Sequence, residues 1–289
     1  MPLDPQAIAS WQFPEFAQDY GDRESLMYAL SLGFGGVPSH PRELDFVYEK
    51  QQRTVPTMVA VLCHPGMWLR NPAFGVTQSK VVHGEQRMRF HHPLPSAGRL
   101  RGTARVLGVE DKGVDKGAVI HLERTVADRD SGQLYASIVH STFCRADGGF
   151  GAGFGQALTL HVIPDRPADL VLHLPTRVDA ALLYRLNVDR NPLHVDPEFA
   201  SKAGFPRPIL HGLCLYGIAA RGVLQALLAS DPSRLASFDA RFSGVFYPGE
   251  TLELSLWQDG DRISFMGRAA ERQTVVLNNG LAVTRRQTE

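Results

Sequence analysis

Residues 184–214 read YRLNVDRNPLHVDPEFASKAGFPRPILHGLC, and this stretch decides both the fold and the candidate site. Asp189 and His194 lie five residues apart across the step Asn191-Pro192. That step favours a turn, because proline restricts the residue before it to extended conformations. The turn lets the acid and the base converge, where a helix would stack them along one face.

The next part of the stretch predicts a short helix. Asp196 followed by Pro197 has the residue types of an N-cap and a first helical position, and Gly204 has that of a helix end. Between them, Phe199 and Ala200 are predicted to form the buried side of this helix.

A longer helix is predicted to begin at His211-Gly212 and to run through LCLYGIAARGVLQALLA. The first backbone N–H groups of a helix have no partner within it, so that of Gly212 is free to face whatever Asp189 and His194 hold. His211 has two interpretations: its ring either takes part in chemistry or bonds a backbone carbonyl.

Length and charge limit the class of protein. The chain has 289 residues, of which 44% are hydrophobic, enough for one large domain or two smaller ones. Acidic and basic residues balance at 30 each. Zero net charge without a dense block of lysine and arginine disfavours a nucleic acid or a membrane surface as the partner.

Three features bear on the compartment. Cys63, Cys144 and Cys214 are odd in number and far apart, which favours reduced, buried thiols over a disulfide framework. The N-terminal MPLDPQAIASWQFPEF has no basic region followed by an apolar run, and no stretch approaches the ~18 uninterrupted apolar residues of a membrane span. The final residues 287–289 are not a peroxisomal tripeptide of the SKL type. We therefore expect a soluble, cytoplasmic protein.

A weak internal repeat divides the chain. YALSLG at 28–33 matches YRLNVD at 184–189, and Pro56 opens an apolar run as Pro208 does. Strand-like segments follow in both halves; in residues 252–256 leucines alternate with polar residues, which predicts antiparallel strands with one covered face. Each half is therefore predicted to be a central helix wrapped by an antiparallel sheet.

The glycine-rich segment GGFGAGFG, residues 148–155, lies between the halves. No lysine or helix follows at the spacing of a nucleotide-binding loop, so we interpret it as a flexible linker. We divide the chain into an N-terminal repeat at 1–147, a linker at 148–167 and a C-terminal repeat at 168–289. Gly33 matches Asp189 and Val59 matches His211, so only the second repeat keeps the ionisable set, and the first is free to widen a groove for a larger substrate.

YRLNVDRNPLHVDPEFA closely resembles the hydratase 2 motif of the MaoC-like (R)-specific enoyl-CoA hydratases, whose usual form is Y-x-L-S-G-D-x-N-P-L-H-x-D-P-x-x-A. The segments YALSLGFGG, ELDFVYE, VPTM, HGEQ, PLPSAGRL, GGFG, PILHGLC and YPGETL are similar to those of the two-domain eukaryotic-type enzymes, in order and over nearly the whole chain. The resemblance implies an α+β double hot-dog fold, in which each of two repeats wraps a long central helix in a curved antiparallel sheet.

The resemblance also implies a lyase of fatty acid metabolism and β-oxidation, which reversibly hydrates trans-2-enoyl-CoA to (R)-3-hydroxyacyl-CoA. Asp189 and His194 would hold the catalytic water, with His194 as general base, and the N–H of Gly212 would bind the charge that develops on the thioester oxygen. No metal or other cofactor is expected, because the thioester acidifies the α-proton and CoA enters with the substrate. A homodimer is expected, since such folds often associate further.

Four further residues are candidates for binding the substrate: Asn191, His211, Arg207 and Glu85. The guanidinium of Arg207 suits a CoA phosphate but equally suits a solvated surface, and Glu85 would either line the pocket or pair with an arginine. His194, Asp196 and His211 have the residue types of a metal triad, yet Asp196 is better explained as an N-cap.

The motif departs from the family form at two positions, where Asn187-Val188 replaces Ser-Gly. Asn187 keeps a hydrogen-bonding side chain, whereas Val188 adds a β-branched one and disfavours positive φ. Three alternatives to the hydratase remain: a hot-dog thioesterase, an acyl-carrier-protein dehydratase, and a non-catalytic acyl-CoA-binding or assembly subunit.

Overall fold

The computed structural model describes residues 2–36, 41–187 and 189–285. Val188 and the C-terminal tripeptide 287–289, both singled out above, lie outside the described residues. The α-helices are α1 Pro5–Ala9, α2 Asp22–Ser31, α3 Pro41–Val47, α4 Ala180–Tyr184, α5 Pro197–Lys202 and α6 Gly212–Leu227. The strands are β1 Phe16–Tyr20, β2 Val81–Phe90, β3 Gly98–Asp111, β4 Ala118–Asp128, β5 Leu134–Cys144, β6 Leu170–Pro175, β7 Leu235–Phe242, β8 Thr251–Asp259, β9 Arg262–Ala269 and β10 Thr274–Thr284. Short 3₁₀ helices span Glu49–Gln51, Pro56–Ala60, Trp68–Arg70, Pro72–Phe74, Gln78–Lys80, Pro192–His194 and Pro232–Arg234.

The ten strands form one antiparallel sheet in the order β1-β3-β4-β5-β2-β7-β10-β9-β8-β6. Counted outward from the centre, β2-β5-β4-β3-β1 in one half repeats as β7-β10-β9-β8-β6 in the other, which confirms the internal repeat. The halves meet where β2 pairs with β7, with Glu85 opposite Arg241 and Arg89 opposite Ser237. We call this pairing the seam.

The core joins the two halves. One cluster of buried side chains draws on both repeats, and Tyr28 and Tyr184, which match in the repeat, are both fully buried with ring centroids 6.0 Å apart. The predicted alternation is confirmed in β8, where Leu252, Leu254 and Leu256 are buried in the core and the residues between them are partly exposed. Burial of the apolar faces of both halves against each other is the main stabilising contribution.

Helix α6 is the central helix of the second half and begins at Gly212, as the sequence predicts. The corresponding element of the first half is much shorter than predicted, because only Pro56–Ala60 is helical and it is a 3₁₀ helix. Its end is fixed by Arg124, whose buried guanidinium donates hydrogen bonds to the carbonyls of Val59, Ala60 and Leu62. Pro65 follows shortly and cannot continue a helix.

Two further predictions differ from the structure. Phe199 is 45% exposed although Ala200 beside it is buried, because a helix of less than two turns covers only one face. The glycine-rich segment is bound to the first half of the protein. The N–H groups of Gly149 and Gly151 donate to the carboxylate of Asp111 at 2.8 and 2.6 Å, and Phe154 pairs with β3.

The three cysteines are free and buried, as predicted. Among the residues that the structure describes, no helix has the length and apolar character needed to cross a bilayer.

Candidate active site

The loop between α4 and α5 carries the acid and the base. Its entry is fixed by Asn187, whose side-chain amide donates to the carbonyl of Tyr184 at 2.9 Å and to the hydroxyl of Ser31 at 3.2 Å. Asn187 therefore ties the loop to the first half, a contact that the shorter serine of the usual motif would make differently.

The turn predicted at Asn191-Pro192 is present and is held by side chains. Asp189 Oδ1 accepts a hydrogen bond from the N–H of Asn191 at 3.0 Å, and Asn191 Oδ1 in turn accepts from the N–H of Leu193 at 3.1 Å. Asn191 has ψ 125°, the extended value expected before proline. Through these bonds Asn191 supports the 3₁₀ turn that carries His194.

The turn brings His194 to Asp189, as the sequence predicts. His194 Nε2 lies 3.9 Å from Asp189 Oδ2; the His194 side chain is 9% exposed and the Asp189 side chain 46%. Two hydrogen bonds of about 2.8 Å to one water oxygen span this distance when they meet at about 90°. The pair is thus too far apart for a direct hydrogen bond and is spaced to share a water.

The tautomer of His194 follows from its second nitrogen. Nδ1 lies 2.8 Å from the carbonyl oxygen of Ile209, and since a carbonyl only accepts, Nδ1 carries the hydrogen. The neutral ring then presents a lone pair at Nε2 toward Asp189. Burial lowers the pKa of His194 against the opposing effects of the Ile209 carbonyl and the Asp189 charge.

His211 contacts both members of the pair, Asp189 and His194. Its Nε2–H donates to the backbone carbonyl of Asp189 at 3.0 Å, and its ring stacks on that of His194 with centroids 3.6 Å apart and planes 25° apart. Burial, together with the neighbouring His194, lowers the pKa of His211 to about 4. The carbonyl contact is one of the two roles that the sequence left open for His211.

The N-terminus of α6 lies beside Asp189 and His194. The carbonyl of His211 accepts from the N–H groups of Cys214 and Leu215 at 3.1 Å, and no side chain caps the helix. Within the described residues, the N–H of Gly212 has no acceptor. A Cβ on Gly212 would lie 3.2 Å from the ring of Phe242. Glycine at this position therefore lets the ring of Phe242 lie close to the helix start.

Asp189, His194 and His211 place one possible metal-ligand atom each within 4.8 Å of one another. The geometry does not suit an ion, because imidazole lone pairs lie in the ring planes and two stacked rings cannot direct them at one centre. Asp196, the third member of the predicted triad, is the N-cap of α5 and accepts from the N–H groups of Glu198 and Phe199.

Two candidates from the sequence have other contacts. Glu85 forms an ion pair with Arg87 at the seam, the arginine contact that its sequence context allowed. Arg207 is exposed, with its guanidinium 4.7 Å from the ring centroid of Tyr247. A contact of Arg207 with a CoA phosphate therefore stays a prediction.

The structure adds ring side chains that the sequence did not single out. His83 lies between His140, at a centroid distance of 3.7 Å, and Phe242, at 4.5 Å. Phe242 is the ring that contacts Gly212. The first half therefore supplies ionisable side chains next to the site, from strand positions that do not match Asp189 or His211 in the repeat. The sequence feature that could have indicated these residues is HGEQ, residues 83–86, in which Gly84 interrupts a strand.

Comparison with known families matches both halves separately. A family model described as "MaoC like domain" matches residues 160–279, and one described as "MFE-2 hydratase 2 N-terminal domain" matches residues 18–146.

Individual proteins match over the whole chain. The chain is 40% identical over 285 residues to the enoyl-CoA hydratase ChsH3 of Mycobacterium tuberculosis, covering 97% of this chain and 98% of that protein. It is 37% identical over 285 residues to the 3-hydroxyacyl-thioester dehydratase Y of the same organism, covering 97% and 94%. A solved MaoC-like dehydratase from Phytophthora capsici superposes with a TM-score of 0.86 at 29% identity, covering 99% of this chain and 100% of that one.

Proposed function

Because this chain belongs to the MaoC-like hydratase 2 family, we propose that it reversibly hydrates trans-2-enoyl-CoA to (R)-3-hydroxyacyl-CoA in fatty acid metabolism. The observation that carries the proposal is the pairing of an acceptor nitrogen on His194 with the carboxylate of Asp189 at 3.9 Å, beside the free helix start at Gly212.

In the proposed reaction, one water lies between His194 and Asp189. His194 Nε2 accepts a proton from this water while the water oxygen bonds to the β-carbon of the enoyl group. The proton that His194 accepts then passes to the carboxylate of Asp189, which delivers it to the α-carbon. One proton leaves the water and the same proton reaches carbon, so both side chains return to their starting state.

Negative charge develops on the thioester oxygen during this addition. The N–H of Gly212 is proposed to bind it, since an unpaired donor at a helix start combines a hydrogen bond with the helix dipole. We propose that the reaction needs no metal or other cofactor, because the thioester itself acidifies the α-proton. The ring geometry of His194 and His211 supports this view, as it does not suit an ion.

The test is to follow the enoyl-thioester absorbance with crotonyl-CoA and a medium-chain trans-2-enoyl-CoA, with chiral analysis of the product and a thiol assay in parallel. Water addition to give the R product, without thiol release, is the expected result. Release of free CoA would identify a thioesterase. Binding of the thioesters without turnover would identify an acyl-CoA-binding subunit.

Three finer points are also proposals. Measuring the same reaction with an enoyl acyl carrier protein decides between CoA and a carrier protein, and we expect CoA to be preferred. We propose a homodimer, to be tested by light scattering during size-exclusion chromatography. A cytoplasmic location, to be tested by cell fractionation, rests on the sequence alone.

A further inference from the structure

A cavity of about 710 Å³ lies between helices α2 and α4, the edge strand β6 and the second half of α6. We call it the side cavity. Its size is within the range of about 300 to 1,000 Å³ that is typical of sites for small ligands. Asp189, His194, His211 and Gly212 do not line it, so the side cavity is separate from the candidate active site.

Arg221 of α6 lines the side cavity with a guanidinium that lacks the partners of a buried charge. In the described part of the chain, its buried Nε–H has no hydrogen-bond acceptor and no carboxylate pairs with the guanidinium. A guanidinium stays charged at neutral pH and has five N–H donors. Buried charges in folded proteins are paired or hydrogen-bonded, so an unpaired one beside an open cavity indicates that a ligand supplies the acceptor.

The surroundings of Arg221 are shaped to hold its guanidinium. Gly33 has φ +88°, and a Cβ there would collide with the guanidinium, so glycine at this position makes room for the arginine. Gly33 is the residue that matches Asp189 in the repeat, so the first half has room for a cation where the second half has an acid. The guanidinium also lies 5.9 Å from the ring centroid of Phe34, within the range of a cation–π contact.

Glu43 lines the same cavity, and both of its oxygens are bound by other donors. One oxygen accepts from the N–H of Gly35 at 2.9 Å, and the other accepts from the side-chain amide of Gln225. Burial lowers the pKa of Arg221, and the negative charge of Glu43 opposes this shift, so the two groups interact electrostatically. Because repulsion grows with charge, Glu43 disfavours a dianion in the side cavity more than a monoanion.

Much of the remaining surface of the side cavity is apolar. Leu32, Leu174 and Ile218 line it and are buried, and Leu30, which is 48% exposed, marks where the cavity opens to solvent. Such a surface favours a hydrocarbon chain, which loses contact with water on binding. The side cavity therefore combines an unpaired cation with an apolar surface, the two features that complement a fatty acid anion.

We propose that the side cavity is a second ligand site, in which Arg221 binds the carboxylate of a fatty acid anion and the apolar residues bind its chain. A guanidinium suits a carboxylate because two parallel N–H groups meet its two oxygens. Inorganic phosphate would also fit the guanidinium, but it has no chain for the apolar surface and is repelled more strongly by Glu43. The site is independent of the hydratase reaction proposed above.

The experiment measures the binding of sodium octanoate to the full chain by isothermal titration calorimetry. Arg221→Met removes the guanidinium and keeps an unbranched side chain. Arg177→Met is the control, at a cavity-lining arginine that already pairs with Asp179. We expect Arg221→Met to raise the Kd for octanoate about tenfold or more, and Arg177→Met to leave it within about twofold of wild type.

Two analogues of octanoate test the two parts of the site. Butyrate should bind about tenfold or more weakly than octanoate, because its shorter chain covers less of the apolar surface. Octan-1-ol has no carboxylate, so wild type and Arg221→Met should bind it about equally. Equal affinities for butyrate and octanoate, or a weaker binding of octan-1-ol by the variant as large as that of octanoate, would contradict the proposed arrangement.

Thermal unfolding without octanoate distinguishes a ligand-binding arginine from a structural one. Replacing an unpaired buried charge by an apolar side chain is neutral or stabilising, so Arg221→Met should unfold at the same temperature as wild type or a higher one. A marked loss of stability would identify Arg221 as a structural group and would overturn the proposal.

Three results of the titration and of a kinetic control would also overturn it. They are the absence of octanoate binding by wild type, tighter binding of inorganic phosphate than of octanoate, and competitive inhibition of crotonyl-CoA hydration by octanoate. The last result would place octanoate in the catalytic cleft. No turnover of crotonyl-CoA by wild type would contradict the proposed hydratase alone, because the titration does not depend on catalysis.

Discussion

The imidazole of His194 lies on that of His211 with ring centroids 3.6 Å apart, and the two rings turn their hydrogen bonds in different directions. His194 donates to the Ile209 carbonyl and His211 to the Asp189 carbonyl. Protonation of both rings would bring two positive charges into contact in a buried place. Burial lowers the pKa of His194 and leaves its Nε2 available as a base, and burial together with the neighbouring His194 lowers the pKa of His211.

Replacing either member of the catalytic pair should abolish most of the activity. We expect Asp189→Asn and His194→Gln each to lower kcat by about a hundredfold to ten-thousandfold, because each removes an acid/base group and keeps a polar side chain in its place. Hydration of crotonyl-CoA measures the effect, with Asp165→Asn at an exposed position as control. Retention of more than a tenth of the wild-type kcat in both variants would exclude the proposed roles.

The decline of kcat/KM at acid pH should report the protonation of His194. Since burial lowers the pKa of this ring below 6.5, we expect kcat/KM to stay level as the pH falls from 8 to 6.5 and to decline only below that. Initial rates at low crotonyl-CoA concentration across this range measure it. A midpoint above pH 7 would speak against a depressed base.

Stability should fall in mild acid. The pKa values of His83 and His211 are lowered from 6.5 to about 3 and about 4, so between these values and 6.5 the unfolded chain binds more protons than the folded one. Stability is then full above pH 6.5 and lost as the pH falls, by up to about 1.4 kcal/mol per pH unit for each such ring. Urea unfolding at pH 7.5, 6.5 and 5.5 tests this. His83→Phe should flatten the slope; an unchanged slope would contradict the assignment.

The role of the Gly212 N–H can be isolated by a pair of variants. Proline is tolerated at the first position of a helix, and His211 before it has ψ 132°, which proline accepts. Gly212→Pro removes the N–H, whereas Gly212→Ala keeps it, and both add a Cβ against Phe242. We expect Gly212→Pro to lower kcat about a hundredfold to a thousandfold beyond Gly212→Ala. Equal losses would assign the effect to crowding.

Arg124 should be important for stability without touching the chemistry. Its guanidinium binds the carbonyls that end the first central helix, and burial lowers its pKa to about 10. Arg124→Met leaves those carbonyls unpaired and should lower the free energy of unfolding by about 3 kcal/mol. Arg105→Met, which breaks an exposed pair with Glu123, should cost less than about 1 kcal/mol. Chemical denaturation compares the two, and equal losses would contradict the capping role.

Local signals made half of the site predictable. The turn before Pro192, the N-cap at Asp196 and the helix start at Gly212 depend on neighbouring residues, and all three are present. The repeat was also visible because matched positions such as Tyr28 and Tyr184 are core residues in both halves.

The other half depends on pairing between distant segments. His83 meets His140 and Phe242 through strand pairing and a register shift at Gly84, which residue spacing along one segment does not encode. The early end of the first central helix likewise depends on Arg124, which comes from a strand far along the chain.

The seam has a consequence for how the protein is made. Glu85 and Arg241 pair across it although the chain separates them by more than half of its length, and closing so long a loop is entropically slow. During synthesis β2 emerges well before β7, so its hydrogen-bonding edge stays open to other nascent chains until the second half folds. Because Asp189, His194 and Gly212 all belong to the second half, a ribosome-bound or truncated first half would lack the acid and the base, and catalytic competence would come last.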